Sequence, residues 1–137
     1  MNIKQLFTGI LSTAALLVGL TAEANSKVET WSTKEGASIY YLPAPEIPIV
    51  DIIVAVDAGS LREGSQYGLS SMTANMVTKG TKSLDEEAFL TKLDDLQSDI
   101  HAGSSLSTTT FSLRSLVKPE LLTPSLDLFI EVMTEAD

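Results

Sequence analysis

The stretch Asp57–Thr81, DAGSLREGSQYGLSSMTANMVTKGT, decides the fold of this chain. It begins where the strongly apolar run Ile49–Ala58 ends, and that run has the pattern of a strand that is buried on both faces, which favours a central place in a sheet. A polar loop over residues 61–67 follows, and then a segment predicted to be helical over about residues 68–78. Leu69, Met72 and Met76 recur there at helical spacing, so they predict a core-facing stripe.

The residues on either side of the predicted helix resemble those of a known peptidase family. Gly68-Leu69 opens the helix and Lys79-Gly80-Thr81 follows it, as in the insulinase-like (M16) zinc peptidases and the related mitochondrial processing peptidases. In catalytic members of that family this helix carries the inverted zinc motif His-x-x-Glu-His. Here the same positions read Ser71-Met72-Thr73-Ala74-Asn75, so the resemblance implies the scaffold without its catalytic residues.

The motif positions carry no group suited to zinc chemistry. Ser71 and Asn75 are four apart and share a helix face, but a neutral hydroxyl and an amide are poor zinc ligands. Ala74, at the position of the general base, can move no proton. The chain has one histidine, His101, and no cysteine, so a motif with two histidines cannot occur anywhere in it. We therefore expect neither zinc nor a catalytic residue, although an ordinary amphipathic helix explains the segment equally well.

Residues 1–24 have the pattern of a secretory signal peptide. Lys4 supplies a positive start, Leu6–Leu20 an apolar region, and Ala22-Glu23-Ala24 a small-residue cleavage site. The apolar run is too short and too often interrupted for a stable membrane anchor. These features predict cleavage after Ala24 and a periplasmic or secreted protein, with residues 25–137 forming the N-terminal part of a truncated M16-like domain.

The chain is acidic, with a formal net charge of −9. Such a chain repels nucleic acid, and no basic patch with interleaved aromatic residues is present. We therefore expect no nucleic-acid partner.

The other segments predict an α+β fold, mostly antiparallel, with helices packed on one face of the sheet (the M16 or LuxS-like metallohydrolase fold) and an incomplete domain. Two short strands around Lys34-Glu35-Gly36 form a hairpin, with Trp31 as a core anchor. Ser83 and Glu86 predict a capping box for a helix ending near Leu96. Two further strands, residues 99–104 and 107–117, lead to a helix opened by Pro119, whose start Pro124 should shift or kink.

A second resemblance concerns the strand after that helix. Catalytic M16 members have Gly-Ala-x-x-Asn-Ala-x-Thr-Ser there, a strand that pairs with the substrate backbone, and this chain has Gln97–Ser105 at the matching interval. Ala102 and Ser105 match the pattern, whereas Gln97, Ser98 and His101 depart from it. The residues Ile100, His101, Ala102, Gly103 and Ser104 are therefore a candidate peptide-binding strand edge. A plain sheet edge, with His101 an ordinary surface histidine, explains them as well.

Three functions follow from the resemblance, in descending order of support. The first is an exported non-catalytic M16 subunit that helps a catalytic M16 partner to bind extended peptides. The second is a stand-alone periplasmic peptide-binding or envelope-assembly protein on the same scaffold. The third is an active zinc metalloendopeptidase that takes its metal ligands from outside this sequence.

Overall fold

The structure, a computed structural model, describes residues 27–136. The predicted signal peptide, residues 1–24, lies outside this range. The strands are β1 (Glu29–Ser32), β2 (Ser38–Tyr41), β3 (Ile49–Val56), β4 (Asp99–Ser104) and β5 (Thr109–Leu116). The helices are α1 (Leu69–Met76), α2 (Glu86–Leu96) and α3 (Pro119–Glu135), and a 3-10 turn at Ser60–Arg62 precedes α1.

The described residues up to Pro45 form a unit of their own, the antiparallel hairpin β1–β2. Trp31 lies opposite Ile39 in this hairpin, and 51% of Trp31 is exposed. The prediction that Trp31 anchors the core is therefore wrong for the described residues. The physical reason is that two short strands alone have no second layer with which to bury an aromatic side chain.

From Glu46 onward, the chain forms a second unit around a three-stranded antiparallel sheet in the order β3-β5-β4. β3 pairs with β5 from Ile49 opposite Leu116 to Val56 opposite Thr109. β5 is thus the central strand and β3 lies at an edge, which corrects the prediction that β3 is central. Ile53, on the face of β3 away from the helices, is 69% exposed. The apolar residues of β3 indicated burial on both faces, but in the described sheet only one face is covered.

The core lies between this sheet and the helices α2 and α3. Its buried residues come from both helices and from the two strands β4 and β5: Phe89, Leu93, Ile100, Leu113, Leu128, Phe129 and Val132. Ile52 and Val54 of β3 pack against this cluster from the same face of the sheet. Full burial of one such side chain contributes about 1.5–3 kcal/mol. The predicted α+β fold, with antiparallel strands and helices on one face, is confirmed.

The beginning of α2 differs from the prediction. Asp85 is the N-cap, and its Oδ1 accepts a hydrogen bond from the Ala88 amide at 2.9 Å. Ser83 instead donates its hydroxyl to Glu131 on α3, and Thr81 donates to the same carboxylate. The hydrogen bond from Ser83 and, with a smaller effect, that from Thr81 hold the pKa of Glu131 below its usual value. The predicted capping box is therefore wrong, because a carboxylate distant in sequence accepts from Ser83.

The helix α3 begins at Pro119 without a shift and continues through Pro124 to Glu135. Pro119 is tolerated because it is the first helical residue, where the missing N–H would have no partner within the helix, whereas Pro124 lies inside the helix. Of the two predicted effects of Pro124, the displacement of the helix start is wrong, and the kink stays a prediction.

Candidate functional site

The helix at the motif positions, α1, is held at its beginning by Glu63. The carboxylate of Glu63 accepts hydrogen bonds from the Gly68 amide at 2.8 Å, from the Ser70 amide at 2.7 Å and from the Ser70 hydroxyl. These hydrogen bonds hold the pKa of Glu63 below its usual value, and the bond from the Ser70 hydroxyl has the largest effect. An acidic side chain at this end of a helix also matches the helix dipole. Glu63 was not identified from the sequence, because it lies outside the helix that it caps.

The motif residues themselves lie on α1 as predicted, but their side chains face different surroundings. Ser71 and Asn75 are exposed, whereas Ala74 is 3% exposed and is the buried residue of the helix. The Asn75 Nδ2 donates to the Ser71 backbone carbonyl at 2.9 Å. The side-chain amide is therefore engaged with its own helix, within the preceding turn.

A zinc ion does not fit the residues found here. The site offers one neutral hydroxyl and one neutral amide, the latter bonded to the backbone, and zinc in proteins takes thiolate, imidazole or carboxylate ligands. Within residues 27–136, no group of three or more His, Cys, Asp or Glu residues is placed to hold a metal ion. No catalytic step through a metal can therefore be derived from these residues.

The apolar residues of α1 are not in a core. Leu69, Met72 and Met76 are 47%, 67% and 49% exposed, so the prediction that they form a core-facing stripe is wrong for the described residues. The periodicity was correct for a helix, but periodicity does not determine which side another layer covers. Instead α1 lies against β4, with the small residue Ala74 buried.

The strand β4 lies at the edge of the sheet, with β5 on one side. The Ser105 amide donates to the Thr108 carbonyl at 2.8 Å, which fixes this pair as a hydrogen-bonded one. Because such pairs alternate in an antiparallel ladder, Gly103 and His101 also bond to β5. The N–H and C=O groups of Ile100, Ala102 and Ser104 therefore point away from β5, toward the outer edge. The five candidate residues thus form one continuous strand edge beside α1.

The end of this edge is held by the segment that leads to α1. The Ser60 amide donates to the Ser105 carbonyl at 3.1 Å, and the Leu61 amide donates to the Leu106 carbonyl at 2.9 Å. A Cβ at Gly59 would lie 2.6 Å from the Ser105 oxygen and 2.7 Å from the Leu106 oxygen. Gly59 thus permits the contact between the chain before α1 and the β4–β5 turn. The sequence signal for it was a glycine directly after a strand.

The sheet face opposite the helices carries a row of charged side chains across all three strands. Arg114 on β5 donates from Nε and from an Nη atom to the two carboxylate oxygens of Asp51 on β3, at 2.7 and 2.8 Å. This hydrogen-bonded pair lowers the pKa of Asp51 and raises that of Arg114. On β4, the His101 Nε2 lies 3.0 Å from the Asp99 carboxylate. The sequence did not reveal this row because Asp51 and Arg114 are 63 positions apart.

The fold and the site together define an α+β peptidase-like domain whose motif helix carries neutral residues. Comparison with family models matches residues 39–137 to insulinase (peptidase family M16). The chain belongs to this family, which confirms the resemblance seen in the sequence.

Solved structures of similar fold agree with this assignment. The peptidase M16 inactive domain from Pseudomonas fluorescens is 33% identical, with a TM-score of 0.76, over 80% of this chain and 27% of that one. A protease from Helicobacter pylori is 24% identical, with a TM-score of 0.65, over 82% of this chain and 27% of that one. The ferredoxin protease FusC, solved as a mutant in complex with Arabidopsis ferredoxin, is 19% identical, with a TM-score of 0.70, over 83% of this chain and 13% of that one.

The chain thus spans about a quarter or less of the length of these proteins, and the two of lower identity show the fold alone. The comparison with curated proteins gave no match. Among the helices that the structure describes, none combines the length and the apolar character needed to cross a membrane.

Proposed function

We propose that this protein is an exported, non-catalytic M16 subunit that binds extended peptides for a catalytic M16 partner. The observation that carries the proposal is the strand edge of β4 beside α1. At that edge the backbone groups of Ile100, Ala102 and Ser104 face outward, while the adjacent helix carries Ser71, Ala74 and Asn75. An extended peptide binds by adding a strand to such an edge, since main-chain hydrogen bonds supply affinity whatever the peptide sequence.

The side chains of α1 are the reason for assigning cleavage to a partner and only peptide binding to this chain. The helix has a neutral hydroxyl with no base to activate it, a buried methyl group, and an amide bonded to the helix backbone, so it offers no activated nucleophile, base or metal ligand. Cleavage therefore belongs to a partner with a complete His-x-x-Glu-His motif. The structural similarity to a peptidase M16 inactive domain supports this division, and the candidate signal peptide supports export.

The test uses the alternation of the β4 ladder. The Ala102 amide points to the open edge, so Ala102→Pro removes a donor that an added strand needs without removing a bond to β5. The matched control is Ala102→Ser, which keeps the amide and nearly the same volume. Both variants should keep the thermal midpoint of the parent chain.

The proposed catalytic M16 partner is first isolated by co-purification with the chain. The chain and its variants are then mixed with it, and hydrolysis of an unstructured peptide is measured. We expect the parent and Ala102→Ser to stimulate hydrolysis and Ala102→Pro to lose the stimulation. Equal stimulation by Ala102→Pro would refute the role of this edge. Peptide binding by the chain alone, unchanged when the partner is added, would instead support a stand-alone binding protein.

A further inference from the structure

A strand added to β4 would place its side chains beside those of β4, because residues opposite each other in a sheet point to the same face. On the face away from the helices, β4 presents Asp99, His101 and Gly103, all exposed. On the helix side it presents Ile100, which is buried, with the half-buried Ala102 and Ser104. A bound peptide would therefore meet charged groups only through its outward side chains.

The charges on the outward face do not balance at the open edge. Arg114 donates two hydrogen bonds to Asp51, at the far side of the sheet from the edge of β4. Asp99 is opposite Arg114 in the register and its charge helps to raise the pKa of Arg114, but its hydrogen-bond contact is with His101 Nε2. Asp51, Arg114, Asp99 and His101 are the charged and titratable groups that the three strands present on this face. With His101 neutral, the row carries one excess negative charge, at Asp99, whose side chain is 59% exposed.

The residue of an added strand that lies opposite Asp99 is close enough to pair with it, since opposite residues in an antiparallel pair have Cβ atoms about 4.5–5.5 Å apart. A lysine or arginine there would bring its charge close to the Asp99 carboxylate. An acidic side chain in the same place would face a carboxylate of like charge.

We infer that the β4 edge binds extended peptides with lysine or arginine on their outward face more tightly than other peptides, and that the Asp99 carboxylate causes this preference. This inference rests on the proposed peptide-binding function. A cross-strand ion pair changes affinity by up to about five-fold, and a like-charged pair shifts it comparably in the opposite direction. The selection is electrostatic and exposed, so it weakens as salt rises.

The test compares three short peptides in which threonine alternates with lysine, glutamine or glutamate. Their affinities for the purified chain are measured by calorimetry, first at low ionic strength and then near 0.15 M, where the screening length is about 8 Å. We expect the lysine peptide to bind up to about five-fold more tightly than the glutamine peptide, and the glutamate peptide to bind most weakly.

Two variants separate a local effect of Asp99 from the acidity of the whole chain. Asp99→Asn keeps a hydrogen-bond partner for His101, and it should make the affinities of the three peptides similar. Asp94→Asn, at an exposed position on α2, changes the net charge equally and should leave the ranking unchanged. Equal affinities in the parent chain, or an unchanged ranking in Asp99→Asn, would overturn the inference and leave peptide binding intact. Failure of all three peptides to bind would refute the proposed function and the inference with it.

Discussion

Gly59→Ala should destabilise the protein far more than a glycine-to-alanine change normally does. The added Cβ would lie 2.6 to 2.8 Å from backbone atoms of Ser105 and Leu106, which cannot rotate away as a side chain would. Gly59 itself has an extended backbone, with φ of −173°, so the conflict is one of space and not of dihedral angle.

The size of the effect follows from what must move. Separating the two segments breaks the hydrogen bonds from the Ser60 and Leu61 amides, each worth about 0.5–1.5 kcal/mol. Overpacking that relaxes only in part costs about 1–3 kcal/mol. Separating the segments breaks the hydrogen bonds but also relieves the overlap, so the two costs do not add in full. We therefore expect a loss of about 2–4 kcal/mol in the free energy of unfolding.

The assay is urea denaturation followed by circular dichroism, with Gly103→Ala as the matched control. Gly103 lies in β4, and a Cβ there makes only an ordinary contact at 3.9 Å, so alanine should be neutral or stabilising by about 0.4–1 kcal/mol. A Gly59→Ala variant within about 0.5 kcal/mol of the parent would show that the close approach of these segments does not occur in solution.

Three further predictions concern the motif, the cap of α1 and export. Restoring the motif by Ser71→His, Ala74→Glu and Asn75→His should give no peptide hydrolysis by this chain alone, since zinc still needs a third protein ligand; measurable hydrolysis sensitive to a chelator would contradict this. Glu63→Gln should lower stability at pH 7, and its difference from the parent should shrink as the pH falls below 4.5. The pKa of Glu63 is lowered in the folded state, so its contribution is complete above the ordinary value of 4.5 and is lost as pH falls through the folded value. Denaturation of both proteins at pH 7 and at successively lower pH measures this, and a difference that stays constant throughout would refute the role of its charge. N-terminal sequencing of periplasmic material should begin at Asn25, and Leu16→Asp with Leu17→Asp should block export, because each charge costs about 2.5–3.5 kcal/mol on insertion. An intact Met1 would show that residues 1–24 are not a cleaved signal.

The sequence alone predicted the order of the elements and the loss of the zinc motif. The apolar run of β3, the tight turn between β4 and β5, and the periodic residues of α2 and α3 are local patterns, so neighbouring residues suffice to recognise them. The absence of a motif with two histidines required only that histidines be counted. The fold class followed from these elements and from the family resemblance.

Only the tertiary structure decided which strand is central, which backbone groups face the open edge, and which residues of α1 are buried. The pairing of Asp51 with Arg114, the bond of Ser83 to Glu131 and the approach of Gly59 to the β4–β5 turn join residues far apart in the chain. Periodicity identifies an apolar face or a strand, but it carries no information about the element that will lie against it. The candidate binding edge is therefore a property of the β3-β5-β4 strand order and of the alternation of its hydrogen bonds.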